Sequence, residues 1–208
     1  MIKDSSKILT KHQEAKAFIF DLDGTLADSM PVYYKVWKDI LAQHNVMLTK
    51  ELFDSMAGVS LTKCINFFNE QYSISLEENK VLEKVDMEVK SSLHLIHPII
   101  PVCNLVHMYF EKIPMAIGTG SQKENAHLIL QAIGLDQYFN IVVSAEDVAN
   151  HKPSPDTFLK CSELMGIDPK YCQVFEDAKN GFDAALSAGM LLTDVTPYYK
   201  TSEGVNIY

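Results

Sequence analysis

Asp21 and Asp23 stand two positions apart in the segment Asp21-Leu22-Asp23-Gly24-Thr25, directly after the apolar run Ala17-Phe18-Ile19-Phe20. In an extended backbone residues i and i+2 lie on one side, so both carboxylates can face a single reacting centre. Two like charges so close are costly unless a cation sits between them or one of them takes a proton. The pair therefore asks for Mg²⁺, for acid–base chemistry, or for both. Gly24 lets the chain turn away immediately afterwards.

Three further clusters could share that chemistry. In Gly118-Thr119-Gly120-Ser121 the small residues let backbone N–H groups approach an anion, and the hydroxyls add donors. In His151-Lys152-Pro153-Ser154-Pro155-Asp156 a stiff Pro-x-Pro segment leading into a helix holds Lys152. A fixed ammonium stabilises both a bound phosphate and a carboxylate nucleophile. In Phe175-Glu176-Asp177-Ala178 adjacent acids close an apolar run, which suits an oxygen-ligating divalent ion. Taken singly, each has an ordinary explanation: turn chemistry for the first, a surface lysine for the second, helix capping by Asp177 for the third. Four such clusters in this order, each closing a strand-like run, carry a joint signal that none carries alone.

The elements that must position them follow from periodicity. Residues 17–20 show no polar alternation, the mark of a strand buried on both faces. Asp21 and Asp23 then sit just past its carboxyl end, where open α/β sheets bind ligands. Pro31 can open a helix. Val32, Val36, Trp37, Ile40 and Leu41 recur at helical spacing, as do Leu61, Cys64, Ile65 and Phe68, then Val81, Leu82, Val85, Val89 and Leu93. No strand is expected between Met30 and about His97. Beyond it, strands at 114–119, 140–144, 172–175 and 190–195 alternate with helices at 124–133, 155–165 and 178–188. This alternation predicts an α/β fold, a doubly wound, Rossmann-like parallel sheet. Its core comprises residues 1–29 and 98–208, with residues 30–97 inserted as a helical cap domain over the strand ends.

Composition narrows the class. The 208 residues are 47% hydrophobic and 22% charged, enough apolar surface for a real core. A net charge of −9 argues against a nucleic-acid surface, so any attraction for an anionic substrate must be local. The polar opening 1–16 has no signal-like apolar run, and no stretch reaches the ~18 apolar residues of a spanning helix. Segment 93–110 comes nearest but is broken by histidines and prolines. Cys64, Cys103, Cys161 and Cys172 share no metal-like spacing, and reduced, buried thiols in a cytoplasmic protein are expected. His94, His97 and His107 fit no common metal site, and Met87, Met108, Met115, Met165 and Met190 are read as core filling.

The order Asp-x-Asp-Gly-Thr, helical insertion, Gly-Thr-Gly-Ser, Lys-Pro-Ser-Pro-Asp-Thr-Phe, Phe-Glu-Asp-Ala resembles the haloacid-dehalogenase-type phosphohydrolases, and within them the β-phosphoglucomutase-like branch. Residues 114–121 and 151–158 are most similar to the fructose-1-phosphate phosphatase type, and 181–190 fits the same branch. The resemblance implies an Mg²⁺-dependent phosphatase acting on a small sugar or polyol phosphate, fructose 1-phosphate among the candidates, through an aspartyl-phosphate. It makes Asp21 the nucleophile and Asp23 the general acid/base, whose backbone carbonyl also reaches Mg²⁺. Thr119 and Lys152 would hold phosphate oxygens, with Gly120 and Ser121 beside them at the substrate. Asp21, Glu176 and Asp177 would complete the metal site. The implied partner is a small phosphorylated metabolite, with no nucleic acid and no membrane, and a monomer is the default.

Departures from the branch refine this. The position twelve after the nucleophile, commonly a histidine in mutases, is Tyr33. In the segment Met56-Ala57-Gly58-Val59-Ser60-Leu61, Leu61 stands where mutases carry an arginine for the distal phosphate, and Ala57 replaces a lysine. An apolar side chain cannot hold a phosphate dianion. A phosphatase is therefore favoured over the alternative, a β-phosphoglucomutase-like phosphosugar mutase. Gly58, Ser60 and Lys63 are the expected cap residues near substrate. A receiver-like signalling module would share an acceptor Asp, a hydroxyl residue, a Lys and an acid pair, but would lack both Asp23 and the helical insertion.

Overall fold

The computed structural model describes residues 8–199, so the start of the polar lead-in and the tail 200–208 lie outside the described residues. In chain order the elements begin with β1 (Ala17–Phe20) and β2 (Ala27–Asp28). Four helices follow: α1 (Met30–Ala42), α2 (Lys50–Ser55), α3 (Leu61–Tyr72) and α4 (Glu78–Ser92). Then come β3 (His97–Pro98), α5 (Ile100–Tyr109), β4 (Met115–Gly118), α6 (Lys123–Ala132) and β5 (Val142–Val143). The chain ends with α7 (Asp156–Met165), β6 (Cys172–Glu176), α8 (Lys179–Ser187) and β7 (Leu191–Asp194).

Five strands pair in the order β5-β4-β1-β6-β7, all parallel. The chain thus starts at the centre, winds outward through β4 and β5, and returns to the other side of β1 with β6. The reversal opens a crevice between the carboxyl ends of β1 and β6. Along β1 the side chains alternate between two cores. Phe18 and Phe20 pack with Phe175 against Val102 and Val106 of α5 and Ile129 and Leu130 of α6. Ala17 and Ile19 pack with Ala116 and Val174 against Phe158 and Cys161 of α7 and Ala184 and Ala185 of α8. Helices cover both faces, as the unbroken apolar strand requires. The aromatic side is tight: the rings of Phe20 and Phe175 stack at 4.8 Å, and Phe18 meets Phe175 edge-on at 5.0 Å.

The helices α1–α4 occupy the stretch expected to hold no strand. Where the chain leaves the sheet layer and returns, β2 and β3 pair antiparallel, Ala27 opposite Pro98 and Asp28 opposite His97. Ile99 N–H adds a bond of 2.8 Å to the Leu26 carbonyl, so exit and re-entry are pinned together.

Several elements escaped the sequence pattern. α5 opens with Pro101 in its first turn, and its polar interruptions lie among buried Val102, Cys103, Leu105 and Val106. α2 is only six residues long, too short for a period, although Thr49 caps it by accepting from Leu52 N–H. The two-residue strands β2 and β3 have no sequence signature. Met87 and Met108 are 58% and 53% exposed, so they are not core filling. Beyond β7 Tyr199 docks on the core, 2% exposed, with its hydroxyl donating to the Gly24 carbonyl. No helix of the described residues is long and apolar enough to cross a membrane.

Phe18 touches three aromatic rings, those of Phe20, Tyr109 and Phe175. Phe18→Ala should lower unfolding free energy by about 3–5 kcal/mol, measured by urea titration. A loss below about 1 kcal/mol, in the range of a surface change, would mean that this aromatic cluster does not anchor the sheet.

Candidate active site

The carboxylate of Asp21 lies one residue past the end of β1, in the crevice between β1 and β6. Its N–H still bonds the Phe175 carbonyl at 3.0 Å, so the β1–β6 ladder fixes its backbone. The residue is 6% exposed. From the loop after β5, Lys152 reaches in and donates to Asp21 Oδ1 at 2.7 Å and to Glu176 Oε1 at 2.9 Å. Its ammonium also lies 4.5 Å from the centre of the Phe158 ring. Burial disfavours the Lys152 charge, but the two carboxylates outweigh it and hold its pKa above the ordinary lysine range. Burial also pushes the Asp21 carboxyl well up, and Glu176, Asp177 and Asp23 push it further, opposed by Lys152.

Two glycines make room for the acids. A Cβ on Gly24, whose φ is +88°, would meet Asp177 Oδ2 at 2.5 Å. A Cβ on Gly181 would fall 1.7 Å from Glu176 Oε1. The remaining bonds fix both side chains: Thr25 Oγ1 donates to Asp177 Oδ1 at 3.1 Å, and Ala178 N–H to Glu176 Oε2 at 2.6 Å. Asp21, Glu176 and Asp177 each bring a carboxylate oxygen within 4.8 Å of the others. Three acids answered by one lysine leave negative charge in excess, and the donors are all oxygen. That set suits a hard divalent cation such as Mg²⁺.

Asp23 is turned away from this cluster into a cage of hydroxyls. Ser29 Oγ donates to its Oδ1 at 2.6 Å, Ser121 Oγ to its Oδ2 at 2.6 Å, and Thr119 Oγ1 to Oδ2 at 3.4 Å. Tyr33 OH lies 3.1 Å from Ser121 Oγ and closes the ring of hydroxyls. Burial and the Asp23 charge push the Tyr33 phenol well above its ordinary pKa, so it remains a neutral donor. Ser29 sits at the N-cap of α1 but makes no cap bond; its hydroxyl serves Asp23 instead.

Above these residues is a cleft of about 180 Å³. The structure brings Asp21, Asp23, Thr119, Gly120, Ser121, Lys152, Glu176 and Asp177 to its floor, with Gly58 and Ser60 on the opposing wall. Lys63 does not join them: it is exposed on α3 and does not line the cleft. The rest of that wall is Trp37, Phe53, Met56, Leu61, Phe68 and their neighbours, without a charged side chain. Gly58 has a docking role as well, since a Cβ there would meet Ala178 and Asn180 at 3.3 Å, and Asn180 Nδ2 donates to the Ala57 carbonyl at 3.1 Å. Sequence reasoning missed Ser29, Thr25 and Gly181. Ser29, two positions before Pro31, reads as a helix cap, and nothing local reveals that its hydroxyl has another partner.

Comparison with known proteins settles the family. The profile of the haloacid dehalogenase-like hydrolases matches residues 18–195. This chain belongs to that family. It is 34% identical to the fructose-1-phosphate phosphatase of Escherichia coli, over 88% of this chain and 98% of that one. The phosphorylated carbohydrates phosphatase of Thermotoga maritima is 30% identical over 84% of this chain and 82% of its own. The crystal structure of a hydrolase from Pseudomonas syringae matches with a TM-score of 0.79 at 26% identity, covering 90% of this chain and 88% of that one. The protein is accordingly an enzyme, a hydrolase of the haloacid dehalogenase type with the α/β fold of that family.

Gly181→Ala should leave the fold intact but displace Glu176, and with it Lys152. Loss of catalysis by more than about 10²-fold is expected, as for a misplaced catalytic group. Full activity in a crystallographically unchanged site would contradict the placement. All four cysteines are buried and unpaired, and burial pushes the thiols of Cys64 and Cys103 up to about 12. At pH 8 they are protonated, so iodoacetamide should label none of the four until the protein is unfolded; rapid native labelling would contradict their burial.

Proposed function

We propose that the protein is an Mg²⁺-dependent phosphatase of small sugar or polyol phosphates, with residues 30–97 serving as a cap over the core. The observation that carries this reading is the pairing at the cleft floor. A lysine-held carboxylate, Asp21, stands beside a second acid two residues on, Asp23, which a separate set of hydroxyls orients. The likeness to the E. coli and T. maritima phosphatases supports the substrate class.

In the first step Asp21 attacks phosphorus and the ester P–O bond breaks, while Asp23 gives its proton to the departing alkoxide. In the second, Asp23 takes a proton from water, whose oxygen attacks phosphorus. The aspartyl P–O bond breaks, restoring Asp21 and releasing inorganic phosphate. Lys152 stabilises Asp21 and the equatorial phosphate oxygens, and the backbone around Thr119 and Gly120 donates to them. When bound at Asp21, Glu176 and Asp177, Mg²⁺ supplies the positive charge that lets a carboxylate approach an anionic ester. The apolar wall excludes water. It also offers no cation to hold the second phosphate of a sugar bisphosphate, which disfavours the mutase. The four unpaired thiols suit a reducing, cytoplasmic setting.

The test is phosphate release over a panel of hexose, ketose, triose and polyol phosphates. Release should cease on exhaustive chelation, and Asp21→Asn should lower kcat by ~10⁴-fold or more. Mg²⁺ should also raise Tm in the wild type and much less in Asp177→Ala, a readout independent of turnover. Activity that survives chelation would remove the metal from this reading. With a hexose 1-phosphate and a bisphosphate primer, phosphorus NMR should show inorganic phosphate alone. Growth of a 6-phosphate signal would identify a mutase.

A further inference from the structure

Among the described residues, one buried side-chain polar atom has no hydrogen-bond partner: Oδ1 of Asn125. Asn125 stands in the first turn of α6, is 2% exposed, and lines the cleft. Its amide orientation is settled by chemistry, because Nδ2 lies 2.7 Å from Asp86 Oδ1 on α4 and a carboxylate there can only accept. Turning the amide over would set two acceptors against each other and still leave a donor open. The oxygen is therefore the atom left without a partner. A buried acceptor is costly to leave unmade; Leu82 and Val85 of the same cleft carry no donor, and the Trp37 indole N–H makes no bond to this oxygen.

We propose that Asn125 is a specificity-determining residue: its Oδ1 accepts a hydrogen bond from a hydroxyl on the carbon body of the phosphate ester. Asp86 is the positioning residue that holds the amide. The assignment rests on the phosphatase reading of the same site and narrows it. The pair spans the helical block and the core, so the acceptor is in place only when α4 is seated against α6. Asp86 behind the amide also makes this end of the cleft unfavourable for a carboxylate or second phosphate and favourable for a neutral hydroxyl donor. The selected ligand is then a monophosphate of a neutral, hydroxylated molecule. An ester lacking hydroxyls gains nothing from Asn125.

That asymmetry supplies the experiment. Wild type and Asn125→Ala are compared on two substrates: the fastest of fructose 1-phosphate, sorbitol 6-phosphate and glycerol 3-phosphate, and hydroxyl-free p-nitrophenyl phosphate. The variant should lose roughly 10- to 100-fold in kcat/KM on the hydroxylated ester, with p-nitrophenyl phosphate turnover unchanged. The latter also reports that the variant is folded; Asn125→Leu, closer in volume, replaces it if the alanine variant does not fold. Asp86→Ala should move the same ratio in the same direction. Equal losses on both esters, or no loss on either, would mean that Oδ1 serves only a water or the packing, and would overturn the proposal. Wild-type failure to release phosphate from any ester would instead overturn the phosphatase reading, and this assignment with it.

Discussion

The site depends on one buried ammonium. Lys152 is 4% exposed and lies within 3 Å of both Asp21 and Glu176. An unpaired charge there would be unstable, and truncating one member of such a group leaves the others uncompensated. The surrounding architecture serves this contact. Parallel pairing of β1 with β6 sets Asp21 and Glu176 side by side, and the glycines at 24 and 181 leave space where a side chain would intrude. The loop after β5 brings Lys152 to both. One cation stands against a cluster of three carboxylates, so negative charge is left in excess, and the proposed divalent ion would offset it.

The two acids of the Asp-x-Asp pair have been given different environments. Asp21 faces a cation and two other carboxylates. Asp23 faces only hydroxyls, from Ser29, Ser121, Thr119 and, through Ser121, Tyr33. Hydroxyl groups can donate to a carboxylate and can equally accept from a carboxylic acid after rotating. Such a cage holds Asp23 in place in either protonation state, which the proposed acid–base role requires. Tyr33 belongs to α1 and Ser121 to the loop after β4, so the cage also joins the helical block to the core.

Much of this was legible before any coordinates. Each buried strand ends where its apolar run meets a chemically distinctive cluster, so the termini of β1, β4 and β6 and the residues beyond them could be read directly. α5 was not, because histidine, asparagine and proline break up a helix whose apolar residues are buried all the same. Ser29, Gly181 and Asn125 were invisible for a different reason: their partners are Asp23, Glu176 and Asp86, and only the fold makes them neighbours. Lys63 is instructive in the opposite sense. The stripe Leu61, Cys64, Ile65, Phe68 already defined the inward face of α3, and position 63 falls outside it.

The central claim is that Asp21, set by its contact with Lys152, carries the phosphoryl group during turnover. The direct measurement is rapid acid quenching of enzyme mixed with a phosphorus-32-labelled substrate, followed by mapping of the protein-bound label. Label should appear within the first turnover on the tryptic fragment 17–35, localised to Asp21, and decay as free phosphate accumulates. Phosphate release with no protein-bound label at any quench time, or label on a different residue, would contradict it.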